Sequence, residues 1–280
     1  MGKISSKVLG SWNKSKLNRI TRLEEFELAN ARARDIKDNL RIRLFKNNLN
    51  ASFKIYSLSQ NLLSYFSDER AFRKYAEIVG PVEDDYMPSY PPMSPLTTSY
   101  FTYWCFCDLT FDQDKETICS IFHDCYENRG LESKVLEALN HLGASQMRFY
   151  QHLGFEDDLI LLKDLLTGQT SKYLCTSGYK GSKNEIWFAR SVPNLEEIYT
   201  YGIVLTTPYV IVRNTAKDWK AFFERQGITS EDDSLMKHHP DHNYWHEYIM
   251  DAYVNYTENC IYLTGIPDIK GSKPHEMDKW

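Results

Sequence analysis

The sequence predicts an α+β protein, with a helical N-terminal part packed on a mixed part that holds a small antiparallel sheet or open barrel. Three observations carry that prediction. Apolar residues recur at steps of three and four between Leu23 and Leu44, and short apolar runs alternate with turn signals between Leu159 and Val212. A proline-rich stretch, Pro91 to Phe111, separates the two kinds of pattern. The expected divisions are a basic arm over 1–22, a helical part over 23–85 and a mixed part over 86–280, with the last two possible as one continuous domain. With 280 residues, 42% of them hydrophobic, the chain can bury one large core or two smaller ones.

Residues 1–22 carry Lys3, Lys7, Lys14, Lys16, Arg19 and Arg22 ahead of the first acid, Glu24. Such a basic arm suits a protein partner or the phosphates of a nucleic acid. Its opening, Met1-Gly2-Lys3-Ile4-Ser5-Ser6, also fits the pattern for N-terminal myristoylation. That pattern is short and arises often by chance, so a solvated arm is favoured over an acyl anchor. Beyond it, Leu23, Phe26, Ala29, Ala33, Ile36, Leu40 and Leu44 lie along one stripe of a long helix, opposite a face of alternating charge. A second helix is expected over Phe53–Phe66, and a third from Ser67 to the Gly80-Pro81 stop.

Three prolines in five residues open the central stretch, and Tyr100 to Phe111 follows with aromatics, Cys and Thr. Proline bars helix and those residue types favour pleated strand, so an extended loop feeding a buried central strand is expected. A helix capped by Asp112 or Asp114 should carry Ile118, Ile121, Phe122 and Cys125 and close at Gly130. Another is expected from about Glu132 to Gly154. Four or five strands of a meander then fall within 159–212. Asn214 or Thr215 should cap a helix that contains Trp219, Phe222 and Phe223 and ends at Gly227. A last helix over Asp241–Tyr256 and a strand over Cys260–Ile266 complete the expectation.

Composition narrows the function classes. A net charge of -5 argues against a surface that is wholly a nucleic-acid footprint, and no apolar run is long enough to span a membrane. The six cysteines lie mostly in apolar runs, which suggests reduced, buried thiols in a cytoplasmic protein. No phosphate loop, nucleophile elbow, dinucleotide fingerprint or C-x-x-C motif is present.

The best candidate for chemistry is His238, Asp241, His242 and His246. His242 and His246 share a helix face, the spacing from which two imidazoles hold zinc, yet Ile249, Tyr253 and Tyr256 share it too, and core histidines fit equally. Pro240-Asp241 with Asp268-Ile269-Lys270 is a loose likeness to metal-dependent nucleases. For a partner surface, the basic arm and Tyr90, in the loop over Tyr86–Ser99, are the candidates.

The stretch P-P-M-S-P-L-T-T-S-Y-F-T-Y-W resembles a family of uncharacterised bacterial proteins, together with D-L-L-T-G (Asp164–Gly168), S-G-Y-K-G (Ser177–Gly181) and A-Y-V-N (Ala252–Asn255). That resemblance implies a bacterial cytosol and carries over no activity and no functional residue. The function expected is therefore that of a non-enzymatic interaction or accessory subunit of a multi-protein complex. A metal-dependent hydrolase or nuclease built on the 238–246 cluster is the alternative, and a nucleic-acid binder acting through the basic arm is the third. No cofactor is expected beyond a divalent metal on that cluster.

Overall fold

The computed structural model describes residues 1–17, 77, 79–80, 95–110, 113–128, 133–195, 201–211, 215–229 and 261–262. Its helices, in chain order, are α1 (Lys3–Leu17), α2 (Pro95–Tyr103), α3 (Ile118–Glu127), α4 (Ser133–Ala144) and α5 (Ala216–Gln226), and α2 runs on into a π-helical turn over Trp104–Asp108. The strands are β1 (Gln146–Glu156), β2 (Leu159–Asp164), β3 (Thr170–Cys175), β4 (Ile186–Val192), β5 (Gly202–Val204), β6 (Tyr209–Ile211) and β7 (Ile261–Tyr262). The chain forms two units, Met1–Tyr75 with Thr110–Ala144, and Ala76–Leu109 with Ser145–Trp280.

In the first unit, α3 turns Ile118, Cys119, Ile121, Phe122 and Cys125 inward. Its cap is neither Asp112 nor Asp114. Thr117 forms a capping box with Ser120, whose backbone N–H donates to the Thr117 Oγ1 at 3.2 Å while Thr117 N–H donates to the Ser120 Oγ at 2.9 Å. Asp114 is turned instead toward α1, where it accepts from Lys3 N–H at 2.9 Å. Glu116 accepts from Ile4 N–H at 2.7 Å and Ser5 N–H at 3.0 Å, so two distant carboxylates satisfy the orphan donors of the first turn of α1. Helix α1 lies on this unit through buried Ser5, Val8 and Leu9. Gly2 has a steric reason, because a Cβ there would come within 2.1 Å of the Glu116 Cδ.

In the second unit, β1 pairs with β2, β2 with β3, β3 with β5, β5 with β4, and β4 returns to β1, closing a five-stranded barrel. The β3–β5 contact is parallel and the others are antiparallel, so the expected meander is replaced by a mixed, closed sheet. Strands β6 and β7 extend the sheet beyond β4. The helix expected to reach Gly154 ends at Ala144. Met147 and Phe149 alternate with Arg148 at period two, and hydrogen bonding to β2 and β4 on both sides makes that segment a strand. Tyr150, Ile160, Leu162, Tyr173, Cys175, Trp187, Ala189 and Val204 fill the interior.

The central strand expected at Tyr100–Phe111 is helical as far as Asp108. Pro95 stands at the first helical position, where its missing N–H costs nothing and its fixed φ suits a helix. A sequence apolar all round is equally the mark of a fully buried helix, and here burial overrides the strand propensity of Tyr, Phe and Thr. Tyr100, Tyr103, Trp104, Phe106 and Cys107 are all buried against the outside of the barrel, with Tyr100 edge-on to Tyr209 at 6.1 Å. Cys105 and Cys107 therefore line a π-turn and not one face of a strand. Helix α5 follows its expectation, with Thr215 as cap and Gly227 left-handed at its end, and it stacks Trp219 on Phe149 at 4.5 Å. Among the described residues no helix is long and apolar enough to cross a membrane.

Candidate functional site

Each end of the barrel gathers polar and aromatic side chains. At one end Tyr150 and Ser191 hydroxyls are 2.6 Å apart, the Tyr173 ring lies 5.9 Å from that of Tyr150, and Arg148 meets Asp164 at 3.3 Å. Asp164 also accepts the N–H groups of Leu166 and Thr167 at 2.8 and 3.0 Å, so the carboxylate caps the β2–β3 turn and is spent on structure. Burial pushes both phenols up from their ordinary value, so neither exchanges a proton near neutrality. Tyr150, Tyr173 and Ser191 plug this end with buried side chains.

The opposite end is built from the tip of the β1–β2 hairpin and the loop over 176–185. His152 is buried, with Nδ1 accepting from Gly154 N–H at 3.0 Å and Nε2 2.9 Å from the Lys180 carbonyl. Those partners select the neutral tautomer that carries its proton on Nε2. The imidazole supports two rings edge-on, Phe155 at 5.1 Å and Trp187 at 5.2 Å, and Trp187 continues to Tyr179 at 5.4 Å. Four rings thus form a chain whose middle members, His152 and Trp187, are buried and whose ends, Phe155 and Tyr179, are partly exposed. Phe155 stands at its outer end, 46% exposed, and Trp187 is fully buried.

Glu185 fastens the Tyr179 end. Its carboxylate accepts from Trp187 Nε1–H at 2.8 Å and from Tyr179 O–H at 3.1 and 3.2 Å. Its backbone N–H donates to Ser182 at 3.2 Å and its carbonyl accepts from His152 at 2.9 Å. The loop can fit so closely only because Gly181 has φ +66 and no side chain; a Cβ there would fall 2.4 Å from the Trp187 ring. Cys175, beneath the loop, is held as a thiol, because burial raises its pKa more than the Ser177 hydrogen bond lowers it. It is not a poised nucleophile.

Some closed five-stranded barrels of other proteins hold oligonucleotides or oligosaccharides on the face of their second and third strands and at the loop between the first two. No protein-family model matches this chain, and no curated protein or solved structure is similar to it. Architecture alone does not carry function, and the residues at those positions decide. The outward face of β2 and β3 presents Leu159, Leu161, Lys163, Thr170, Lys172 and Leu174, with no ring on which a base could stack. The β1–β2 tip reads Glu156-Asp157-Asp158, a poor neighbour for phosphates.

The residues expected to bind a partner are only partly described. Lys3 and Lys7 are exposed on α1, Lys14 and Lys16 fall on α1 with side chains outside the description, and Arg19, Arg22 and Tyr90 lie outside the described residues. His238, Asp241, His242 and His246 lie outside them as well, as do Asp268 and Lys270. A group that spacing did not bring forward is His123, Asp124 and Glu127 on α3, whose nearest ligand atoms lie within 4.8 Å of one another and could hold a divalent cation. Its sequence signal is a histidine and a glutamate four apart. The Phe155 end escapes sequence reasoning for another reason: the helix expected from Glu132 stops at Gly154, and only strand pairing makes Phe155 part of a hairpin.

Proposed function

We propose that this protein is an interaction or accessory subunit that engages a protein partner through the Phe155 end of its barrel. The observation that supports it is Phe155 itself, a large aromatic left exposed at a hairpin tip yet braced by a buried, hydrogen-bonded histidine. Exposed apolar side chains are common, but a rigid aromatic brings contact area to an interface at little cost in conformational entropy. Asp164, Arg148 and Glu185 are engaged in a turn, an ion pair and the fastening of a loop. Affinity capture from the native host with wild type and with Phe155→Ala tests the proposal. A protein retained by the first and lost by the second is expected. No specific partner, or equal retention by both, would sink it.

A further inference from the structure

The Glu185 carboxylate is the feature of that end which loop fastening does not fully account for. It is half-buried, and both of its hydrogen-bonding side chains, Trp187 and Tyr179, are neutral. Among the described residues it makes no ion pair, although Lys180 and Lys183 stand in the same loop, both exposed. Glu156, at the hairpin tip, is by contrast already paired with Lys172. A carboxylate offers about four acceptor directions, and the Tyr179 and Trp187 contacts leave Oε1 with capacity to accept again. Desolvating an anion without a counter-charge is costly, so this group gains from an incoming cation. The neighbouring Tyr179 ring is a favourable surface for that cation as well.

From this placement, and resting on the partner-binding proposal above, we infer that Glu185 receives a lysine or arginine side chain of the bound protein, while an adjacent apolar residue of that protein covers Phe155. The chain of rings from Phe155 through the buried His152 and Trp187 to Tyr179 ties the two contacts to one another through the interior. Asp157 and Asp158, exposed at the tip, add negative charge on the Phe155 side. Lys180 and Lys183 add positive charge on the loop side, which fits a partner of mixed charge and not a polyanion. The fastening of Glu185 by Trp187 and Tyr179 presets its direction, so little ordering remains to be done on binding.

The indole N–H of Trp187 reports on the carboxylate directly. In a ¹⁵N spectrum of the full chain, six indole resonances are expected, and Trp187→Phe assigns the relevant one. The probes are arginine amide, then a short peptide with arginine beside leucine, each compared with its citrulline counterpart, which keeps the shape and removes the charge. Saturable movement of the Trp187 resonance by the arginine probes is expected, with at least tenfold weaker response to citrulline and a comparable loss in Glu185→Gln. Equal response to arginine and citrulline would overturn the inference on the wild-type protein alone, whatever the variant does to the loop. So would an unshifted Trp187 resonance up to millimolar peptide. If Phe155→Ala still abolishes capture of the native partner while Glu185→Gln retains it, the cation reading falls and the partner-binding proposal stands. If both variants retain it, both fall.

Discussion

Arg190 donates through Nη2 to the carboxylate of Asp108, and both side chains are completely buried. The pair fastens the end of the π-turn to β4, and Arg190 Nη1 adds a bond to the Ser145 carbonyl at 2.6 Å, which pins the start of β1. Burial acts to lower the Arg190 pKa, and the Asp108 carboxylate more than offsets it, so the guanidinium stays charged in the core. Removing one partner strands the other. Asp108→Asn is expected to destabilise the protein by about 3–5 kcal/mol, whereas the joint replacement Asp108→Leu with Arg190→Met should recover most of that loss. Urea denaturation of the three proteins checks it, and equal losses for single and joint variants would contradict the pairing.

Phe155→Ala should separate binding from stability. A ring that is nearly half exposed contributes little to the core, so the expected cost to folding is below about 1 kcal/mol. The expected cost to partner binding is about 2 kcal/mol or more, roughly thirtyfold, as for an aromatic anchor. Thermal melts and a binding titration measured on the same preparations give both numbers.

High pH should reveal the plug at the other end of the barrel. Burial raises the Tyr150 and Tyr173 phenols above their ordinary value of 10.0, so folding favours their neutral form. Their contribution to stability is complete below that value and is lost as pH rises through it toward the folded pKa. Tyr150→Phe has no proton to lose there. It should cost about 1 kcal/mol at pH 8 through the missing Ser191 hydrogen bond, yet show a shallower decline than wild type above pH 10. Parallel alkaline limbs for the two proteins would contradict it.

Glu116 should hold the start of α1. Glu116→Ala leaves the Ile4 and Ser5 amides without their carboxylate and removes the partner of the Ser5 hydroxyl. The expected loss is about 1–3 kcal/mol, concentrated in the first turn. Hydrogen exchange of the Ile4 and Ser5 amides should quicken at least tenfold, with β1 amides unchanged. Gly2→Ala should produce a milder version, because the Glu116 side chain must shift to admit the added Cβ.

Much of the barrel could be read from residue order. The apolar runs that form β2, β3 and β4 are separated in the sequence by Thr167-Gly168, Lys180-Gly181-Ser182 and Pro193-Asn194, since glycine and proline set chain reversals through backbone geometry that needs no distant partner. The cap and stop of α5 at Thr215 and Gly227 are equally local. Expectations failed where the deciding contact was remote. Nothing near Gln146 says that β2 and β4 will flank it, and nothing near Asp114 says that its carboxylate will turn to Lys3 instead of a following helix.

The central stretch illustrates the division best. Its apolar character on every side determined that Tyr100 to Phe106 would be buried, because so many aromatic rings cannot remain in water. Whether it was buried as strand or helix was decided by tertiary structure. The barrel closes through β1 and β4 and presents an outer surface that a helix covers, so the chain from Pro95 satisfies its backbone internally and spends Asp108 on Arg190. The Phe155 end followed the same rule. Sequence supplied a histidine, three aromatic residues and a glutamate between His152 and Trp187, and only the pairing of strands and the fold of one loop set them side by side.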